Sequence, residues 1–362
     1  MARRTSKTLW SRSFERTLKA MTRTAVRAGT KVIKDSLRPA PVKKVVKTTL
    51  RATPAKAKRA PAKKVVATST TSATSTNWTT GIAIGAAGPR RYRLYKPPGV
   101  RRNEHLPLLV MLHGCGQNAE ALATSSRMNQ IAARARFMVL YPEQDRLSNL
   151  QGCWNWYDTR SGRAQAEENS IMAAIEQICL SQPVDRSKIA LAGISAGAGM
   201  AVLLATHHPE RFRAIAMHSG IAPGVAHSSA SAIKAMFGQS ATPSPLPPIA
   251  LNVRLPALLV IHGMSDHIVA PSNGEEAAMR WGERVGAKAS KPRTVQRGAR
   301  YAATITDYRK SRRLIATLCE ISRLGHAWSG GAAGHSYSDP KGPDASRMIW
   351  AFVAKQFGKA TD

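Results

Sequence analysis

A serine between two glycines, Ser195 in the run Gly193-Ile-Ser-Ala-Gly197, is the residue best placed for nucleophilic chemistry. The run follows the apolar residues 188–192 and precedes small and apolar residues that are typical of a helix. A Gly-x-Ser-x-Gly turn between a strand and a helix holds its hydroxyl clear of the sheet. The pattern alone is weak, so the hypothesis depends on the flanking elements and on partner residues elsewhere in the chain.

Serine is a poor nucleophile until a base takes its proton, and the base must itself be oriented. Two other apolar runs lead to suitable groups: Asp266 follows residues 255–261, and His326 follows residues 314–321. The chain order serine, aspartate, histidine is that of α/β-hydrolases. We therefore predict that His326 is the general base for Ser195 and that Asp266 fixes its tautomer.

Other residues are alternatives for two of these roles. The alternatives for the base are His262, His267 and His335, and the alternatives for the acid are Asp307 and Asp339. Two of these histidines lie in the acid's own segment, and neither aspartate ends an apolar strand. The sequence therefore favours the first assignment and leaves the others open.

The oxyanion of an acyl-transfer intermediate needs two hydrogen-bond donors aimed at it. We predict that one is the amide of Ala196 and that the other is the amide of Cys115, which follows the apolar run 106–112. Glycines on both sides of Cys115 allow a close approach of the backbone to a substrate. His113 either orients this loop or contacts the substrate.

Apolar strands alternate with helical patterns through most of the chain. Strands are predicted at residues 91–95, 106–112, 136–141, 188–192, 212–217, 255–261 and 314–321, and helices at 119–134, 167–180, 273–284 and 344–357. The first strand is expected to be antiparallel or at an edge, and Asp344 to cap the last helix. This alternation predicts an α/β-hydrolase fold, in which helices flank a mostly parallel central sheet and functional residues follow the carboxyl ends of strands.

Charge is concentrated in the N-terminal part of this 362-residue chain, whose net charge is +33. Residues 1–80 hold 20 of the 54 Lys and Arg residues, but only Glu15 and Asp35 as acidic residues. We predict a basic amphipathic helical segment at 1–37, a disordered linker rich in Lys, Ala, Pro and Thr at 38–77, and the hydrolase domain at 78–362. Residues 1–76 are expected either to bind an anionic surface, a granule or nucleic acid without sequence specificity, or to be a solvated tail.

Several kinds of site and segment are not expected. The four cysteines lack metal-ligand spacing, so a zinc site is not predicted. A run of 18 apolar residues, as needed for a transmembrane helix, is not found. Without the apolar region of a signal peptide, the sequence suggests a cytoplasmic or granule-associated protein.

Six separated motifs carry a more specific resemblance. In chain order they are Leu112-His-Gly-Cys-Gly-Gln117, Tyr141-Pro-Glu-Gln144, Cys153-Trp-Asn-Trp156, Gly193-Ile-Ser-Ala-Gly197, His218-Ser-Gly220 and Gly325-His-Ala-Trp328. Together they resemble the polyhydroxybutyrate depolymerase family of esterases (its type 1 catalytic domains), which is close to the feruloyl and acetylxylan esterases. The resemblance implies a cofactor-free serine ester hydrolase acting on hydroxyalkanoate or aryl-carbohydrate esters. Because members are often secreted, it also makes an extracellular location the alternative to the one above.

Two further expectations follow from these motifs. Trp154, Trp156 and Trp328 are candidates to line an ester site, because aromatic walls bind apolar groups at low entropic cost, with core packing as the alternative. Cys115 and Cys153 both lie in active-site motifs, so they either form a disulfide or remain free thiols.

The leading hypothesis is a serine esterase that hydrolyses poly- or oligo-3-hydroxybutyrate. A feruloyl or acetylxylan esterase is the nearest alternative within enzymes. A hypothesis from another class is a non-enzymatic protein that binds granules or nucleic acid through its basic N-terminal arm.

Overall fold

The computed structural model describes residues 77–101, 103–239, 244–249 and 253–358. The helical segment predicted at 1–37 lies outside the described residues, and so does all of the predicted linker except Asn77. Both therefore stay predictions, as does the domain boundary at residue 78.

A mixed sheet of eleven strands forms the centre of the described part of the chain. The strands are β1 Trp78–Gly85, β2 Gly88–Tyr95, β3 Leu106–Leu112, β4 Met138–Pro142, β5 Val184–Ile194, β6 Ala214–His218, β7 Ala257–Gly263, β8 Lys288–Ala289, β9 Arg293–Val295, β10 Ala303–Lys310 and β11 Arg313–Ile321. Their order is β1-β2-β4-β3-β5-β6-β7-β11-β10-β8, with β9 also paired to β10. The six strands from β4 to β11 in this order are parallel to one another, and the strands outside them pair antiparallel. The predicted mostly parallel central sheet is confirmed.

Seven α-helices flank this sheet in the described residues. They are α1 Ala119–Ser126, α2 Met128–Ala135, α3 Arg163–Ser181, α4 Ala196–His207, α5 Ser229–Met236, α6 Ser272–Glu283 and α7 Ala345–Phe357. Residues of α3, α4, α5 and α6 belong to one hydrophobic core, and residues of α1, α2 and α7 belong to a second. None of these helices has the length and hydropathy of a membrane-spanning segment.

Strand β3 shows why the sheet needs helices on both faces. All its residues but one are buried, and they alternate between the two cores: Leu108 and Val110 face the first, and Leu109 and Met111 face the second. Successive side chains of a strand point to opposite faces, so a continuous apolar run must be covered twice. The observed bounds of β3 are those predicted from this run.

The single helix predicted at residues 119–134 is wrong, because it is broken at Arg127. Arg127 has a left-handed backbone (φ 56°) and separates α1 from α2. The break frees two carbonyls that a continuous helix would use internally. The Ser125 carbonyl accepts a hydrogen bond from the Ala332 amide at 2.8 Å, and the Ser126 carbonyl accepts one from the Ser346 hydroxyl at 2.6 Å. Contacts between distant segments thus replace local helix bonds.

The margins of the sheet also differ from the sequence prediction. The predicted first strand lies within β2, which is antiparallel as expected but is covered by β1 and pairs with β4. A short parallel pair, β12 Trp328–Ser329 and β13 Ser338–Asp339, lies between β11 and α7. Helix α7 is capped as predicted, because the Asp344 carboxylate accepts the Arg347 amide at 3.0 Å.

Candidate active site

Ser195 occupies the turn between β5 and α4. Its backbone angles are φ 56° and ψ −123°, outside the regions that most residues adopt. A Cβ atom added to Gly193 would lie 2.3 Å from the Gly197 carbonyl oxygen, and one added to Gly197 would lie 2.2 Å from the Leu112 carbonyl oxygen. Both positions therefore require glycine, and the predicted strand, turn and helix around the serine are present.

The carboxyl ends of the central strands bring the predicted residues to one edge of the sheet. Strands β5, β6, β7 and β11 are neighbours, and Ile194, His218, Ile261 and Cys319 lie level across them. At the usual strand spacing, β5 and β11 are about 14 Å apart at this edge. Each of the three predicted catalytic residues follows one of these strand ends, so side chains and short loops are enough to bring them together.

Asp266 and His326 are joined by a hydrogen bond of 2.7 Å between Oδ2 and Nδ1. Oδ1 of Asp266 accepts the amides of Ile268 and Val269, both at 2.9 Å. Although burial opposes ionisation, the hydrogen bond and positive charge of His326, together with the Val269 amide, hold the pKa of Asp266 below its ordinary value. The carboxylate therefore favours the hydrogen of His326 on Nδ1, which leaves Nε2 to accept a proton.

The alternative histidines are placed less favourably. His262 is buried, donates from Nε2 to the Val269 carbonyl at 3.0 Å, and lies 3.6 Å from the Asp266 carboxylate. Burial lowers the pKa of His262, so it is expected to be neutral and to pack beside the acid. His267 and His335 are both exposed. The geometry favours His326 as the partner of Asp266.

The alternative acids have other partners. Asp307 on β10 accepts the Thr317 hydroxyl at 2.8 Å and pairs with Arg293 at 3.1 Å. Asp339, at the end of β13, accepts the Lys341 amide at 2.9 Å. Within the described ranges, neither carboxylate has a recorded hydrogen bond with a histidine.

The loop that follows β3 packs against the serine. A Cβ atom added to Gly114 would lie 3.5 Å from the Cβ atom of Ser195, and the Gly114 amide is held by the side-chain oxygen of Gln117 at 2.9 Å. In the part of the chain that the structure describes, the amides of Cys115 and Ala196 donate no recorded hydrogen bond. One N–H group in the loop that packs against the serine and one on the residue after the serine are thus available to an incoming oxygen atom.

A disulfide joins Cys115 to Cys153, so the structure has the first of the two alternatives for these residues. The adjacent Gly116 amide donates to the Gln151 carbonyl at 2.9 Å. The loop at residues 113–117, which we call the oxyanion loop after its predicted role, is therefore fixed to segment 151–156 by one covalent bond and one hydrogen bond. Cys179 and Cys319 are free and buried.

His113 is a buried part of this loop rather than an open contact surface. Its Nδ1 donates to the Gly114 carbonyl at 2.9 Å, and its Nε2 accepts the Gln144 amide at 3.1 Å. Burial lowers the pKa of His113 to about 4, so the ring is neutral at pH 7. Of the two predicted roles, its contacts support orientation of the loop and not contact with a substrate.

The tryptophans predicted to line the site belong to the core. Trp154 and Trp328 are at most 1% exposed, and Trp156 is 9% exposed. The Trp154 indole donates to the His113 carbonyl, and the Trp328 indole donates to the Ser346 hydroxyl. The prediction that they form an aromatic substrate wall is not supported by this burial, because their faces are covered by the protein itself.

His218 is a site residue to which the sequence analysis gave no role. It is fully buried at the end of β6, its ring stacks on Trp328 at a centroid distance of 5.1 Å, and its Nε2 accepts the Ser329 amide at 3.1 Å. Burial lowers the pKa of His218 to about 3, which keeps it neutral. It ties the segment after His326 to the sheet, and its motif, His218-Ser-Gly220, was the available signal.

The described residues contain no group of three or more His, Cys, Asp and Glu side chains arranged to hold a metal ion. The same edge of the sheet holds a serine on a strained turn, a histidine bonded to a buried carboxylate, and the amides of Cys115 and Ala196, an arrangement that is chemically suited to acyl transfer.

Solved structures with a similar fold are esterases and related enzymes. An acetyl xylan esterase from Aspergillus awamori superposes with a TM-score of 0.58 at 18% identity, covering 76% of this chain and 99% of that one. An esterase from Pyrobaculum calidifontis superposes with a TM-score of 0.50 at 19% identity, covering 77% and 83%. At these identities the likeness concerns the fold alone, and the predicted α/β-hydrolase fold is confirmed.

Sequence relatives include a polyester depolymerase and a feruloyl esterase. The chain is 31% identical over 207 residues to poly(3-hydroxyalkanoate) depolymerase C of Paucimonas lemoignei, covering 54% of this chain and 49% of the relative. It is 26% identical over 230 residues to feruloyl esterase B of Neurospora crassa, covering 60% and 75%. The chain thus spans about half the length of the first relative. Because the sequence model of the family matches residues 90–289, more than half of the chain, this protein belongs to the esterase PHB depolymerase family.

Proposed function

We propose that the protein is a serine hydrolase of carboxylic esters, with Ser195 as nucleophile, His326 as general base and Asp266 as the group that orients the base. The observation that carries the proposal is the 2.7 Å bond between Asp266 and His326 at the sheet edge where the Ser195 turn also lies. Family membership supports the same reaction class.

In the first half of the reaction, Ser195 Oγ attacks the ester carbonyl carbon while its proton passes to Nε2 of His326. The carbonyl π electrons move to oxygen, and the amides of Cys115 and Ala196 bind this oxyanion. When the carbonyl re-forms, the bond from carbon to the leaving oxygen breaks. The proton on His326 passes to that oxygen, and an alcohol and an acyl-serine result.

In the second half, water repeats the attack on the acyl-serine. His326 takes a proton from the water, the tetrahedral intermediate again places its negative charge on the two amides, and the proton returns to Ser195 Oγ as the acid leaves. Asp266 remains ionised throughout and stabilises the imidazolium that forms in each half. Its low pKa fits this role.

For the substrate, we propose short-chain hydroxyalkanoate esters, in particular poly- or oligo-3-hydroxybutyrate. The exposure of Leu147 and Leu150 supports an apolar polymer as the substrate. These side chains are 93% and 82% exposed in the turn just before segment 151–156. Through Gln151 and Cys153 this segment is fixed to the oxyanion loop, so the two leucines lie in a turn connected to the site. Exposed apolar side chains beside a site favour contact with an apolar surface.

The second candidate is a feruloyl or acetylxylan esterase. The feruloyl esterase B of Neurospora crassa is covered over 75% of its length, a larger share than the depolymerase C of Paucimonas lemoignei, at 49%. The match thus extends over more of the feruloyl esterase than of the depolymerase, and this supports the second candidate. Sequence identity, at 31% against 26%, is higher to the depolymerase.

A substrate panel on the wild-type protein and Ser195→Ala tests the proposal. We expect wild type to hydrolyse 3-hydroxybutyrate oligomers and p-nitrophenyl butyrate, and Ser195→Ala to lose roughly a thousandfold or more of kcat while keeping its thermal unfolding transition. Methyl ferulate or acetylated xylan hydrolysed in preference to the oligomers would favour the second candidate. Near wild-type turnover by Ser195→Ala would reject the nucleophile.

We also propose that residues 1–76 dock the enzyme on an anionic surface such as a granule or nucleic acid, because they are strongly basic. Binding of the full chain to DNA and to anionic vesicles should weaken steeply with salt. If the chain does not bind, or if its binding does not depend on salt, the docking role is refuted. Retained ester hydrolysis in the same sample would leave the proposed reaction standing.

A further inference from the structure

Glu167, on α3, is a buried carboxylate that bonds two loop segments. Its side chain accepts the Gln144 side-chain amide at 2.5 Å, the Asn155 side-chain amide at 2.5 Å and the Asn155 backbone amide at 2.8 Å. The residue is 3% exposed. All three partners are N–H donors, so the arrangement suits an ionised carboxylate, which is an acceptor only.

Both segments continue to the oxyanion loop. The Gln144 backbone amide donates to Nε2 of His113 at 3.1 Å, and its side chain donates to the Cys153 carbonyl at 3.0 Å. His113 in turn donates to the Gly114 carbonyl, and Cys153 is bonded covalently to Cys115. One carboxylate therefore supports the noncovalent and the covalent connection to the loop that packs against the serine.

The surroundings of Glu167 are costly for a charge. Burial raises its pKa, and hydrogen bonds together with the charge of Arg90 act in the opposite direction. Arg90 is itself 5% exposed and bonds the Gln144 side-chain oxygen at 2.8 Å and the Ser170 hydroxyl at 2.9 Å. A buried charge network is often no more stabilising than well-packed apolar residues in its place, so the notable feature of Glu167 is its contact with both loop segments.

We propose that Glu167 is a positioning residue that sets the oxyanion loop for transition-state stabilisation, an inference that rests on the proposed ester hydrolysis. Its loss lets the Cys115 amide move away from the position of the oxyanion. The ester in its ground state makes little use of this amide, so the effect falls on kcat and not on KM.

The neighbouring residue provides a matched control. Glu168 is on the same helix, is 2% exposed, and bonds Nδ1 of His207 on α4 at 2.8 Å. Glu168→Gln removes one charge at equal burial, as Glu167→Gln does, but its partner lies outside the two loop segments. Any general effect of removing a buried charge from α3 is common to both variants.

The experiment compares wild type, Glu167→Gln and Glu168→Gln with p-nitrophenyl butyrate and with a butyl boronic acid, which forms a tetrahedral adduct on a catalytic serine. For Glu167→Gln we expect kcat to fall roughly tenfold to a hundredfold, KM to stay within about twofold, and boronate affinity to fall in parallel with kcat. Glu168→Gln should keep wild-type kcat, KM and boronate affinity, with a lower Tm.

Equal kcat and boronate affinity in the two variants, with wild type active, would overturn the positioning role and leave the proposed function standing. A loss that appears in KM alone would overturn it as well. If Glu167→Gln does not fold, Asn155→Ser removes one of the three donors without changing charge. The same selective loss in kcat and boronate affinity, at smaller size, is then expected, and its absence would overturn the proposal.

Discussion

The candidate active site has two sides, one with the oxyanion loop and one with His326, and the two are held in different ways. On the oxyanion side, the loop at residues 113–117 is fixed by a disulfide, by the bond from Gly116 to Gln151 and by the buried contacts of His113. On the histidine side, the segment between β11 and α7 is held by noncovalent bonds. His326 contacts Asp266, and Ser329 contacts His218.

This difference matches what each side must do in the proposed reaction. Amides stabilise a developing oxyanion best when they are already in place and need not reorganise. A general base instead takes up and releases a proton in each half-reaction, so its ring must be oriented but its charge must change. A covalent link therefore suits the first side, and a hydrogen bond to a buried carboxylate suits the second.

The largest expected effect comes from breaking the histidine side at Asp266. Asp266→Asn presents an amide to Nδ1 of His326 and favours the wrong tautomer, so kcat for p-nitrophenyl butyrate should fall roughly ten-thousandfold. The variant should still fold, with a Tm near that of wild type, because the asparagine side chain is almost equal in size to that of aspartate. A variant with more than about a tenth of wild-type kcat would contradict the assigned role of Asp266.

The next effect comes from opening the disulfide on the oxyanion side. Cys115→Ser combined with Cys153→Ser should lower the free energy of unfolding by about 4 kcal/mol, because the closed loop spans 38 residues. We also expect kcat to fall while KM changes little, since the Cys115 amide is less well fixed.

Denaturant unfolding and steady-state kinetics measure these two effects. Cys179→Ala is the matched control, because Cys179 is a free buried cysteine of the same fold. Wild-type kcat in the double variant would show that hydrogen bonds alone fix the oxyanion loop. The disulfide on the oxyanion side would then contribute to stability but not to catalysis.

The smallest effect tests whether the oxyanion side also meets the substrate surface. Leu147→Ser with Leu150→Ser should slow hydrolysis of solid polyhydroxybutyrate by about tenfold, through lost apolar contact, and leave p-nitrophenyl butyrate turnover unchanged. Leu180→Ser is the control, because Leu180 is 79% exposed at the opposite, carboxyl end of α3. Equal polymer rates in both variants would refute the contact.

Much of the fold and the core of the candidate site follow from local sequence patterns. The run at 106–112 is apolar at nearly every position, so it marks a buried strand with clear ends. The glycines around Ser195 mark a turn that other residues cannot form, and apolar strands precede Asp266 and His326. These signals depend on neighbours in the chain, which is why they could be recognised.

Features that depend on distant contacts were predicted poorly. The break at Arg127 has no proline or glycine to announce it, and it is balanced by bonds from Ala332 and Ser346 far along the chain. The tryptophans carry the same composition signal whether they line a cleft or fill a core. Their burial depends on how α4 and α7 pack, which single-sequence patterns do not give.

The broken helix has a consequence for attempts to engineer a hardier enzyme. Substitutions chosen for helix propensity would make residues 119–135 one continuous helix, with Arg127 in ordinary helical geometry. The expected gain is in the free energy of unfolding. In a continuous helix the Ser125 and Ser126 carbonyls would accept bonds within the helix, and would no longer be available to the Ala332 amide and the Ser346 hydroxyl. The segment that carries His326 would lose its bond at Ala332, and α7, which follows it, would lose its bond at Ser346. A variant selected here for thermal stability should therefore have a lower kcat.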